Sequence, residues 1–308
     1  MTASYIALQK SGELKRRADC ANAILASCRV CPRQCQVDRL ANELGKCNTG
    51  RRAIVSSYGP HFGEEPPLVG HGGSGTIFFA YCNLKCIYCQ NYGISQMGQG
   101  GEANADKLST IMLYLQAKGC HNINLVSPTH VVPQILESLV GAAEKGLTLP
   151  VVYNSGGYDS VETLQFLDGI VDIYMPDMKY ADEKTAKQLS GIDDYPKINR
   201  QAIKEMHRQV GDLILNNDGI ATRGLLIRHL VLPNGLSGTS RILRFISEEV
   251  SRNTYTNIMD QYRPEHKAYD NPELSRPLQT REFQDAMEVA HRYSLNRIAR
   301  PEPKIRFI

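Results

Sequence analysis

The chain has 308 residues, 42% of them hydrophobic and 22% charged, which is enough for one large domain plus an appendage. A net charge of +3 is too small to signal nucleic-acid binding, and no stretch reaches transmembrane length, so neither a nucleic acid nor a membrane is an expected partner. The N-terminus carries Lys10, Lys15, Arg16 and Arg17 with no apolar core, so no signal peptide is expected. Nine cysteines clustered at short range in such a chain point to metal ligation in a reducing cytoplasm rather than to disulfides.

Residues 1–70 read as a cysteine-rich segment. Cys28, Cys31, Cys35 and Cys47 stand at C-x2-C-x3-C-x11-C spacing. Four thiolates close a metal site: a tetrahedral zinc and an iron–sulfur cluster both satisfy the count, and unmetallated thiols are the third reading. Cys20 and Cys120 are left over as small core residues. From residue 71 to 262, strand-like and helix-like stretches alternate. Strands are predicted over residues 76–80, 122–126, 151–154, 171–175, 225–232 and 255–260, mostly apolar, as strands buried on both faces are. Between them apolar residues recur at helical spacing: Leu108, Ile111, Met112 and Leu115; Ile135, Leu136 and Leu139; Val161, Leu164, Phe166 and Leu167; Ile242, Phe245, Ile246 and Val250. The fold class is therefore α/β, an open partial (β/α)6 TIM-type barrel with a cysteine-rich N-terminal extension, whose ligands collect at the C-terminal ends of the strands. Residues 263–308 form a C-terminal segment, broken by Pro264, Pro272 and Pro277 and closed by a helix that Thr280 caps and that reaches about Arg297.

The first barrel strand runs into Tyr81-Cys82-Asn83-Leu84-Lys85-Cys86-Ile87-Tyr88-Cys89-Gln90-Asn91-Tyr92. Soft thiolates select zinc or iron–sulfur clusters. A [4Fe–4S] cube wants four cysteine ligands, so Cys82, Cys86 and Cys89 leave one iron free for a small molecule; a structural zinc knuckle with a fourth cysteine from elsewhere is the plainer alternative. The next strand ends carry Ser127-Pro128-Thr129-His130, Asn154-Ser155-Gly156-Gly157 and Met175-Pro176-Asp177-Met178-Lys179, and the fifth strand carries Arg228. His130 reads either as a catalytic or substrate-facing histidine or as a satisfied structural one; Asp177 and Lys179, without a cofactor, read as a solvated pair, and Gln261, Tyr262 and Arg263 as substrate contacts or as ties across the open side of the barrel.

The C-x3-C-x2-C spacing, with aromatic Tyr88 just before the last cysteine, resembles the signature of the radical S-adenosylmethionine (SAM) enzymes. Together with the strand-end segments it makes nearly the whole chain similar to the uncharacterised homologues of pyruvate formate-lyase activating enzyme. The resemblance implies a [4Fe–4S] cluster on Cys82, Cys86 and Cys89, chelation of the open iron by SAM, reductive cleavage to a 5′-deoxyadenosyl radical, and hydrogen abstraction from a substrate. It also implies cofactor contacts from Tyr88, Ser127, Thr129, Asn154, Ser155, Asp177, Lys179 and Arg228, and a monovalent cation held by Asn154, Ser155, Asp177 and the Met175 carbonyl. Two departures stand out: Ser127-Pro128-Thr129 replaces a Gly-Gly-Glu segment and brings no carboxylate, and neutral Asn154 stands where the family has an acid. The implied electron donor is a reductant such as flavodoxin or ferredoxin. The substrate stays open between a glycine in a partner enzyme, another peptide or nucleic acid, and a small metabolite. A non-catalytic iron–sulfur or zinc protein is the remaining reading, and it gives no reason for Asp177, Lys179 and Arg228 to stand at strand ends.

Overall fold

The computed structural model describes residues 3–299; the outermost parts of the predicted first and last segments, residues 1–2 and 300–308, lie outside the described residues. One sheet contains β1 (Ala53–His61), β2 (Ser74–Phe79), β3 (Gly101–Ala103), β4 (Ile123–Val126), β5 (Val151–Ser155), β6 (Ile173–Pro176), β7 (Ile214–Leu215), β8 (Ala221–Leu230) and β9 (Tyr255–Met259). Strands β2, β4, β5, β6, β8 and β9 pair in that order and all run parallel, one for each predicted strand. The sheet does not close, since β3 and β9 end it on opposite sides.

The sheet is mixed rather than purely parallel, because three strands escape the sequence reading. β1 lies in the N-terminal segment and pairs antiparallel with β2, β3 pairs antiparallel with β1, and the two-residue β7 pairs antiparallel with β8. β1 is half exposed and contains Gly59-Pro60, a combination that reads as a turn and is tolerated here at the margin of the sheet. Helices Ala105–Ala117, Val132–Glu144, Val161–Phe166 and Thr239–Phe245 fall on the predicted apolar stripes. Asn104 caps the first of them by accepting from the Lys107 amide at 2.9 Å. Helices Glu183–Ser190 and Tyr195–Val210 are additional. The second buries Ala202, Ile203, Met206 and Val210 on one face, a stripe diluted in the sequence by Lys197, Arg200, Lys204, Glu205 and Arg208. The C-terminal helix is Thr280–Arg292, capped by Gln279 in a reciprocal box with Glu282 rather than by Thr280, and it stops short of Arg297. No helix among the described residues is long and apolar enough to cross a membrane.

His229 fastens the end of β8 to its surroundings. Its Nδ1 lies 2.7 Å from the Met178 carbonyl, which can only accept, so Nδ1 carries the proton and Nε2 accepts from Thr239 Oγ1 at 2.9 Å. Burial pushes the imidazole down to about 4 from 6.5, against the opposing pull of the Met178 carbonyl and Asp177. The unfolded chain therefore binds a proton that the folded chain refuses between these values, and stability falls as pH drops through that window. Over the full window the loss amounts to about 3 kcal/mol. His229→Gln is expected to flatten the pH dependence of the urea midpoint between pH 6.5 and 4; an unchanged slope would mean that the imidazole becomes protonated inside the fold.

Candidate active site

The three-cysteine loop begins where β2 ends, at Tyr81, whose φ of +65° turns the chain away from the sheet line. A second non-glycine residue in the left-handed region, Ser127 at φ +58°, follows β4 at the same edge. Such conformations persist only where surroundings over-determine them, and they concentrate at functional sites. Leu84, Cys86 and Tyr88 pack into a buried cluster with Tyr158, Tyr180, Tyr195 and Tyr262, which anchors the loop.

The three thiols open into one cavity of about 240 Å³ at the C-terminal strand ends. Of the predicted cofactor contacts, Tyr88, Ser127, Asn154, Ser155, Asp177, Lys179 and Arg228 also line it, joined by Met259 and Gln261 from the end of β9. Thr129 does not: its hydroxyl donates at 2.7 Å to Asp159, a buried carboxylate that also accepts from Tyr153 and Ser155. The segment after β4 therefore reaches the cavity through Ser127 alone, and Thr129 holds the wall from behind. His130 stands outside as well, with Nε2 on the Ala80 carbonyl at 3.1 Å, consistent with a structural histidine. Tyr262 is a core residue whose hydroxyl donates to the Leu274 carbonyl, and Arg263 pairs with Glu265 at the surface.

Each thiol has a hydrogen-bond partner. The Leu84 amide donates to Cys82 Sγ at 3.4 Å, Ser190 Oγ donates to Cys86 Sγ at 2.9 Å, and Ser95 Oγ lies 3.1 Å from Cys89 Sγ. The Tyr180 hydroxyl lies 2.6 Å from Ser190 Oγ and 2.7 Å from the Tyr88 hydroxyl, continuing the network behind Cys86. Burial pushes the Cys82 thiol up to about 12 and raises Cys86 as well, so a cation or metal is needed to hold them as thiolates. The donor set fits an iron–sulfur cluster. No fourth cysteine lines this cavity, and Cys28, Cys31, Cys35 and Cys47 face a different one, so a closed four-cysteine zinc knuckle on the loop has no ligand to complete it. Among the described residues, no three His, Cys, Asp or Glu side chains are close enough to hold a single ion. Three thiols around a polynuclear cluster with one open position agree with both facts.

In the same cavity, Asp177 is clamped between Lys179 Nζ at 2.6 Å and Arg228 Nε at 2.9 Å, and Arg228 Nη2 reaches Asn154 Oδ1 at 2.8 Å. Burial alone would raise Asp177, but the Arg228 and Lys179 charges outweigh it and hold the carboxylate below its usual value. The oxygens offered for a monovalent cation are thus engaged: Asp177 and Asn154 as above, and Ser155 Oγ on Asp159 at 2.7 Å. Behind Asp177, the Tyr195 hydroxyl donates toward the Gly156 and Asp177 carbonyls and receives the Lys179 amide, while Asn199 Nδ2 bridges the Gly157 and Asp177 carbonyls. Gly157 has φ +74°, and a Cβ there would sit 2.2 Å from the Asp177 carbonyl oxygen, so this contact requires glycine.

Several positions that shape this site were invisible in the sequence. Ser190, Tyr180, Tyr195 and Asn199 belong to segments between β6 and β7 that carried no motif. Glu64 and Glu65, between β1 and β2, are buried with one oxygen each 4.0 Å from Arg228, and burial raises Glu64 despite that cation. Their adjacency just before Pro66-Pro67 was the sole signal, and it reads as an ordinary loop.

No protein-family model matches the chain. The uncharacterized protein MJ0674 of Methanocaldococcus jannaschii is 33% identical over 299 residues, with 94% of this chain and 81% of that protein covered. A radical SAM methyltransferase from Sphaerobacter thermophilus superposes with a TM-score of 0.51 at 12% identity over 72% of this chain. This chain spans 64% of that structure, less than two thirds, and the likeness is one of fold. Streptococcus suis SuiB bound to precursor peptide SuiA has a TM-score of 0.49 at 12% identity, with 72% of this chain and 47% of that one covered.

Proposed function

Because the chain belongs to the same family as the Methanocaldococcus jannaschii protein and its barrel has the fold of a radical SAM enzyme, we propose that it is itself a radical SAM enzyme, with a [4Fe–4S] cluster on Cys82, Cys86 and Cys89. The observation that carries this reading is the three-thiol loop opening into the cavity that also gathers Asp177, Lys179 and Arg228. When bound, the cluster and SAM supply one-electron reductive cleavage of the sulfonium C–S bond and abstraction of a hydrogen atom.

The chain's own residues bind, orient and exclude water. Cys82, Cys86 and Cys89 hold the cluster, and the Leu84 amide, Ser190 and Ser95 tune it through their sulfur contacts. Lys179 and Arg228, kept charged by Asp177, present positive charge to the carboxylate of SAM. Ser127, Asn154 and Ser155 bring polar groups to the same wall, and Tyr88 backs it. A monovalent cation joins this set only if Arg228 releases Asp177 and Asn154. The reductant is a one-electron donor such as flavodoxin or ferredoxin, in a reducing cytoplasm.

For the substrate, hydrogen abstraction from a macromolecular partner, a glycyl radical enzyme among the options, is favoured over a small metabolite. Tyr92 and Met97, immediately after the cluster loop, are 40% and 67% exposed, and Tyr269 nearby in chain order to the cavity-lining Gln261 is 64% exposed. Exposed apolar side chains that follow cavity-lining residues in the chain suit contact with a protein surface.

The test is electron paramagnetic resonance of the anaerobically reconstituted, reduced protein. Addition of SAM is expected to change the cluster spectrum, and 5′-deoxyadenosine is expected to form. A spectrum that SAM leaves unaltered, with no 5′-deoxyadenosine, sinks the proposal.

A further inference from the structure

The second cysteine set lies outside the cavity just described. Cys28, Cys31, Cys35 and Cys47 bound a separate enclosed cavity of about 10 Å³, shared with Arg39 and His130. Cys28, Cys31 and Cys47 are each only 7% exposed, and Arg39 is 1% exposed. Arg39 Nε donates to the Gly50 carbonyl at 3.1 Å and Nη1 donates to the His130 carbonyl at 2.7 Å. Nη1 also lies 3.8 Å from Cys28 Sγ, and Nη2 has no partner. No carboxylate pairs with Arg39 among the described residues. A buried guanidinium needs a counter-charge, and the groups beside it able to provide one are the four thiols, as metal-bound thiolates.

The local chain is built around those sulfurs. The Lys46 amide donates to Cys35 Sγ at 3.4 Å, and a Cβ on Gly45 would stand 2.9 Å from Cys35 Cβ and Sγ, so the chain closes over this thiol because position 45 is glycine.

We propose that Cys28, Cys31, Cys35 and Cys47 hold a [4Fe–4S] cluster. Sulfurs bound to one zinc at about 2.3 Å touch one another and leave no void between them. Here a void large enough for about one water-sized sphere is bounded by all four cysteines, and among the described residues no three such side chains are close enough for one ion. A cube takes one thiolate on each of its four irons, so it needs no three sulfurs to converge on one ion. This centre shares a wall with the first cysteine loop: Arg33 Nε donates to the Asn83 carbonyl at 3.0 Å, and His130, which carries the Arg39 contact, holds the Ala80 carbonyl.

The inference goes beyond the radical SAM reading and does not rest on it. The test is iron, sulfide and zinc analysis, with electron paramagnetic resonance of the dithionite-reduced protein, on the anaerobically reconstituted full chain. About eight irons per chain are expected. Cys31→Ser is expected to lower this to about four, and Cys82→Ala/Cys86→Ala/Cys89→Ala to retain about four with a cluster signal. If the radical SAM reading fails and this one holds, the unmodified chain carries about four irons, lost in Cys31→Ser and kept in the triple variant. Should Cys31→Ser not fold, the triple variant still decides, because it leaves the N-terminal set intact. A triple variant without iron overturns the proposal, whether it carries zinc or four titratable thiols.

Discussion

Cys86→Ala is expected to abolish SAM cleavage, with 5′-deoxyadenosine at the level of the protein-free control, and to remove the iron held by the loop. Of the three loop thiols Cys86 is the most enclosed by protein: it is buried among Tyr88, Tyr180 and Tyr195, and its sulfur accepts from Ser190 Oγ at 2.9 Å. Two remaining thiols cannot keep a cube that takes its ligands from one short loop. Ser190→Ala is the informative companion, since it removes the sulfur's hydrogen bond and leaves all three ligands. The cluster is expected to assemble in that variant with a more negative reduction potential, because a donor to the sulfur stabilises the more negatively charged reduced state. Iron analysis and a redox titration followed by electron paramagnetic resonance check both variants. Wild-type product formation by Cys86→Ala would show that the loop does not carry the chemistry.

Asp177→Ala is expected to cost about 3–5 kcal/mol of stability, because it strands Lys179 and Arg228 with no carboxylate between them. The Asp177, Lys179 and Arg228 side chains are 15%, 18% and 19% exposed, so little water is at hand to replace the lost oxygens. Glu64 and Glu65 lie 4.0 Å from Arg228 and recover part of its loss but none of that of Lys179. Lys179→Met is expected to be milder, since Asp177 keeps its Arg228 contact. Guanidinium unfolding of the three proteins side by side measures the effect, and a difference of under about 0.5 kcal/mol for Asp177→Ala would place these charges in solvent. Weaker SAM binding is expected in both variants by calorimetry, through a charge-assisted contact worth roughly 1.5–3 kcal/mol.

The parallel part of the barrel was legible because buried parallel strands announce themselves as short apolar runs between helical stripes. Each of the six expected strands falls on an observed one. The cavity-lining residues were legible where strand ends and motifs coincide, as at Asp177, Lys179 and Arg228. β1, β3 and β7 were not legible: their pairing depends on partners far away in the chain, and a half-exposed strand containing Gly59-Pro60 carries no local sign of belonging to a sheet.

By itself, the sequence determined the chemistry on offer, because thiol spacing on a short loop is a local property: C-x3-C-x2-C places three sulfurs on one turn of chain whatever surrounds it. It likewise determined that Cys28, Cys31, Cys35 and Cys47 make a set of four. What stands behind each sulfur was decided by the tertiary structure alone. Ser190 meets Cys86 across 104 positions, Tyr195 and Asn199 arrive from a helix with no motif to hold the Asp177 carbonyl, and Arg39 reaches the His130 carbonyl across 91 positions. Long-range hydrogen bonds and buried charge pairs have no period and no spacing in sequence, since they exist only once packing has removed the water that would otherwise satisfy the same groups.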